Sequence, residues 1–184
     1  MKTSRWFRMD QIAAELFPPS QIPYPIIFAR ILGALFLGAV IGFERETKAR
    51  PAGLKTHMLV CLAACTFGVI SLESVRLGGF FDDRVRLDPL RVVEAVTAGV
   101  AFLAAGTIVL SRGEVQGITT GASLWLAGAI GLAVGFGQWG VAGLAAASAF
   151  SVLFVIGSIE ARAMRHKQPD VEPKDEAKDI HAKR

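Results

Sequence analysis

Apolar and polar positions alternate in long blocks along this chain rather than residue by residue. The first apolar run, Ile26 to Phe43, holds no charged side chain from Ile31 on, and Glu44, Arg45, Glu46, Lys48, Arg50 and Lys55 then crowd into a short polar stretch. A second apolar run covers 57–72, a third about 90–110, a fourth about 118–136 and a fifth about 139–159. The first run, as a helix, is about 27 Å long at ~1.5 Å per residue, close to the roughly 30 Å of a bilayer's hydrocarbon core. The block pattern therefore predicts an all-α, polytopic membrane helix bundle of about five transmembrane helices over 26–160.

Two flanking segments read differently. Residues 1–25 carry Arg5-Trp6-Phe7-Arg8 and then an amphipathic stretch that ends at Pro18 and Pro19, which predicts a short helix lying at the membrane interface. Lys2, Arg5 and Arg8 precede the first apolar run, but acidic and basic residues follow that run instead of a small-residue cleavage site, so the run is expected to be retained. Residues 161–184 are charged, poor in apolar side chains and interrupted by Pro169 and Pro173, which predicts a disordered tail.

Small residues mark the faces where helices should meet. Ala34, Gly38 and Gly42 recur every four positions, as do Gly131 and Gly135, while Gly99 and Gly106 lie seven apart and nearly share a face. All seven are expected at close helix contacts. Cys61 and Cys65 also share a face, and two thiols without a further Cys or well-placed His read as packing rather than a metal or redox site.

The chain is 52% hydrophobic with a net charge of +4, and its charges sit in loops and tail. That distribution speaks for anionic headgroups of the lipid bilayer and against nucleic acid. Lys and Arg number twelve on one side of the five spans and eight on the other. The richer side is expected to be cytoplasmic, which puts the N-terminus in the periplasm and the C-terminus in the cytoplasm.

Two groups of residues are candidates for function. The polar stretch gives Glu44, Arg45, Glu46, Arg50, Pro51, Gly53, Thr56 and His57, more polar side chains than a helix hairpin needs. Pro51 and Gly53 suit a type I turn beginning at Arg50, and Thr56 is placed to cap the second span. The second group is a polar membrane site of Glu94, with Thr119, Thr120 and Ser123 at the head of the fourth span. A carboxylate in a span is normally paired, protonated or facing water, so Glu94 is expected to pair with Arg91 or another loop arginine, the alternative being a proton or cation site. Asp82 and Asp83 are followed by Arg84 and Arg86, which compete for their carboxylates, so no metal site is expected there. No HExxH or GxSxG motif and no paired carboxylates occur in the spans, so no catalytic or cofactor site is expected and the chain does not read as an enzyme.

The stretches ARILGALFLGAVIGFERE and RPAGLKTHMLVCLAA, followed by GVAFLAAGTIV and GITTGASLWLAGAIGLAVGFG, resemble the signature of the MgtC/SapB family of bacterial inner-membrane proteins. Four patterns in the expected order cover about residues 29–160. Ala101 and Ala104 stand where the family's pattern has glycines, and Glu94 where it has a small or neutral residue. The better-known members carry a soluble C-terminal domain after the spans, for which this chain has only the charged tail. The resemblance implies a non-catalytic regulator of other membrane machinery, such as the proton-driven ATP synthase. It further implies a link to magnesium homeostasis at low magnesium and, in pathogens, to virulence through survival in phagocytes. The alternative is a small transporter or channel for Mg²⁺ or another ion, which would call for a homo-oligomer, because so few charges lie within the spans. A membrane-protein partner is expected under the first reading.

Overall fold

A computed structural model describes residues 11, 12, 15, 18, 20–74, 88–111 and 113–156. In chain order these form α1 (Tyr24–Thr47), α2 (Leu54–Ser74), α3 (Pro89–Gly106), a hairpin of β1 (Val109–Ser111) and β2 (Glu114–Gln116), α4 (Ile118–Gly135) and α5 (Trp139–Ser151). The helices α1, α2 and α4 are long and apolar enough to cross a membrane, and α5 heads a shorter apolar stretch, Trp139–Val155. Val152–Ile156, a π-helical segment, belongs to a second compact unit that begins at Ser151. The amphipathic segment is helical at residues 11, 12 and 15. The rest of it, the acidic loop with Asp82 and Asp83, and the tail 161–184 lie outside the described residues.

The α1–α2 hairpin is tighter than the hydropathy predicts. Glu44, Arg45 and Glu46 belong to the last turns of α1, and Thr56 and His57 to the first turn of α2, leaving Lys48 to Gly53 as the joint. Glu, Arg and Lys are good helix formers, so polarity alone does not end a helix. The stop comes from Ala49, at φ 48°, in a Schellman arrangement where Ala49 N–H donates to the Glu46 carbonyl and Arg50 N–H to the Arg45 carbonyl.

The extent of the third span is also corrected. The third span ends at Gly106 rather than near Leu110, where Thr107 Oγ1 donates to the Ala104 carbonyl at 2.7 Å and the β-branched Ile108 and Val109 lead into an antiparallel hairpin. Gly113 and Gly117, at φ 82° and 90°, supply the left-handed positions at that hairpin's turn and exit.

The core lies where α2 crosses α1 and α4. Ala34, Gly38 and Gly42 are buried, and a Cβ on Gly38 would stand 2.9 Å from the His57 carbonyl, one on Gly42 2.7 Å from Leu54 Cα. Gly131 abuts the backbone carbonyl of Cys61, and a Cβ on Gly135 would stand 2.5 Å from that of Cys65. Both cysteines are free and buried in these crossings. Such backbone approaches replace the hydrophobic drive that lipid removes. Gly99 and Gly106 differ from their expectation: a Cβ on either meets no atom within 4 Å. The helix α3 instead rests on α4 through Val100 against Gly128 and Ala104 against Gly121. Spacing of seven defines a stripe, but the bulkier Val100 and Ala104 supply the apolar contact.

Candidate functional site

Contacts fix which helix ends share each end of the bundle. Gly42 meets Leu54, His57 meets Ser123, and Gly121 meets Ala104, so the end of α1, the start of α2, the end of α3 and the start of α4 come together. At this junction the two sequence groups merge, except for Glu94.

His57 is fully buried and held from both ring nitrogens. Its Nδ1 lies 2.8 Å from the Gly53 carbonyl, an obligate acceptor, so Nδ1 carries a hydrogen. Its Nε2 lies 3.0 Å from Ser123 Oγ, which is itself 2.9 Å from the Thr120 carbonyl. A neutral ring accepts the serine hydrogen at Nε2; a protonated ring donates to Ser123, which then donates to Thr120. Both protonation states are accommodated without moving a heavy atom. Thr120 is buried, and Thr119 is exposed but offers its carbonyl to Arg45 Nη2 at 3.3 Å.

Glu44 and Arg45 are 4% and 3% exposed although neighbours in a helix point about 100° apart. Both are covered because α2 flanks the last turn of α1 on one side and α4 on another. Glu44 Oε1 stands 2.6 Å from Lys48 Nζ, one turn on, and Glu44 Oε2 3.6 Å from Arg45 Nε, a charge contact rather than a hydrogen bond. Arg45 thus joins α1 to α4, as His57 joins α2 to α4.

Glu46, exposed, reaches across the joint to accept from Leu54 N–H at 3.0 Å. That contact caps α2 and corrects the expectation for Thr56, which lies exposed two residues inside the helix and past the capping position. Glu46→Ala is expected to weaken the first turn of α2 by about 1 kcal/mol. Hydrogen exchange should quicken at Leu54 to His57 while the middle of α2 keeps its protection. Around the buried cluster, Lys48, Arg50, Pro51, Lys55 and Thr56 form an exposed rim, with Gly53 half-buried beneath it.

Glu94 does not join this site. It is exposed near the start of α3, about 15 Å along the helix from Ala104, which marks the His57 end. Among the described residues it forms no ion pair with Arg91. The polar residue missed in the sequence is Arg30, near that opposite end: its Nη1 donates to the Gly135 carbonyl at 2.7 Å, countering the negative end of α4. Glu73 closes the same end by accepting from Gln21 N–H at 3.1 Å and Ile22 N–H at 2.9 Å. An arginine within an apolar run is itself a signal, because such a charge needs a partner.

Residues 31–162 match the model of the MgtC family. The chain is 38% identical over 117 residues to the putative magnesium transporter YhiD of Escherichia coli, covering 61% of this chain and 52% of that protein. It is 34% identical over 139 residues to protein SapB of Bacillus subtilis, covering 74% of this chain and 56% of SapB. To protein MgtC of Brucella abortus it is 38% identical over 128 residues, covering 70% of this chain and 48% of MgtC. The chain spans about half the length of these curated relatives. No solved structure matches it.

Proposed function

Because this chain belongs to the MgtC family, we propose that it is a non-catalytic inner-membrane regulator, contacting other membrane machinery such as the proton-driven ATP synthase during adaptation to low magnesium. The carrying observation is the construction of the His57 end. A buried set of Glu44, Arg45, His57, Thr120 and Ser123 ties α1, α2 and α4 together beneath an exposed rim that includes Lys48, Arg50 and Lys55. Rigid support for a charged surface suits recognition, because little order has to be gained on binding. The rim faces the cytoplasm in this reading. The crossings of α2 with α1 and α4, closed backbone to backbone, also favour contact over conduction through a single chain.

Arg50→Glu reverses charge at an exposed position and should leave folding intact. In cells lacking the native copy, it is expected to abolish growth at low magnesium at normal protein level; wild-type growth would remove the rim from the mechanism.

A second reading rests on the name of the Escherichia coli relative, putative magnesium transporter. Liposomes holding the purified chain separate the two: a regulator gives no Mg²⁺ flux above protein-free vesicles, whereas a transporter gives flux that scales with protein.

A further inference from the structure

An apolar groove of about 550 Å³ runs between α2 and α3. Its floor and walls include Ala63 and Phe67 of α2 and Val96, Gly99 and Leu103 of α3, and among the described residues Arg91 is the charged side chain that lines it. Arg91 stands in the first turn of α3, where that helix leaves the apolar core, and is exposed. From Arg91 to Leu103 the helix rises about 18 Å, a little more than the ~15 Å that one leaflet contributes to the hydrocarbon core.

We infer that this groove is a phospholipid site: one acyl chain lies along α3 from Arg91 towards Leu103, and the guanidinium of Arg91 holds the phosphate. The charge stands in the first turn of the helix, at one end of the channel, the channel has the length of one leaflet's chain, and a planar guanidinium matches a phosphate in geometry and sign. Gly99 leaves the channel open at mid-depth, because a Cβ there meets no atom within 4 Å. Glu94, one turn on from Arg91, does not line the groove. The opening at Gly99 also accounts for a glycine that makes no helix contact, and the site stands independently of the function proposed above.

The test reconstitutes the full chain into vesicles of phosphatidylethanolamine and phosphatidylglycerol, extracts it in detergent and counts retained phospholipid by native mass spectrometry. Wild type is expected to keep one phospholipid per chain, and Arg91→Gln and Gly99→Leu each to lower that fraction roughly tenfold, with Arg91→Lys, which keeps the charge but not the planar fork, falling between Arg91→Gln and wild type. Ala95→Leu, also on the groove wall, replaces Gly99→Leu if that variant does not fold. Equal retention in all variants overturns the site. Loss in Gly99→Leu with full retention in Arg91→Gln overturns it as well, since the headgroup would then be unrecognised. So does a stoichiometric helical polypeptide from native membranes that occupies the groove in place of phospholipid.

Discussion

Gly131→Leu is expected to destroy the folded bundle, leaving aggregate in place of a single monodisperse species in detergent. Any side chain on Gly131 is driven into the Cys61 carbonyl, with Ala64 Cβ at 2.9 Å beside it. A backbone carbonyl inside a helix cannot swing aside as the tip of a side chain can. The helices must therefore separate, and with them go the contacts of Cys61, Ala64 and Cys65 across the α2–α4 interface. Overpacking costs about 1–3 kcal/mol in ordinary cores and occasionally more. The upper part of that range applies here, because lipid solvates separated helices as well as it solvates Leu. Size-exclusion profiles after graded heating provide the measure. Gly99→Ala is the matched control, with open space in place of the carbonyl, and should hold or gain up to about 1 kcal/mol from helix propensity. A Gly131→Leu chain that melts like wild type would mean that α2 and α4 do not cross there.

Glu44→Leu is expected to have a comparable effect by a different route. It leaves the Arg45 guanidinium 3% exposed, without its carboxylate and with the Thr119 carbonyl as its remaining acceptor. Removing one partner of a buried pair costs about 3–5 kcal/mol, because the other charge stays desolvated and uncompensated. Lys48 is a third exposed and can turn to water, so the penalty falls on Arg45. The double variant Glu44→Leu with Arg45→Leu removes both charges and should recover most of the loss. A double variant no more stable than Glu44→Leu alone would show that the damage lies in packing rather than in an orphaned charge. Thermal unfolding of wild type, Glu44→Leu, Arg45→Leu and the double variant in one detergent closes the cycle.

The sequence reveals the bundle because hydropathy is local: five apolar runs can be seen without knowing what touches what. Helix ends are less visible. Glu44 to Glu46 look like loop because charge suggests water, yet the α-helix continues until Ala49 takes a left-handed conformation. The four-residue spacings at Gly38 and Gly42 and at Gly131 and Gly135 coincide with real backbone contacts, whereas the seven-residue spacing of Gly99 and Gly106 faces open space. Spacing identifies a shared face and is silent about the neighbour. The candidate site was legible as residue types but not as an assembly. His57 and Ser123 are 66 positions apart, and their contact depends on α2 and α4 running parallel with their starts at one level. Glu94 seemed to belong with them because it is polar and in a span; the antiparallel course of α3 carries it to the other end. Arg30 went unnoticed because one arginine barely changes the hydropathy of its run.

In the proposed function the exposed rim at the His57 end meets a membrane partner. A photoreactive side chain at position 50, compared in native membranes with one at Gln138 near the opposite end, tests it most directly. A single partner protein is expected to crosslink reproducibly from position 50 and not from position 138. Equal capture from both positions, or none from position 50 in cells growing at low magnesium, would contradict it.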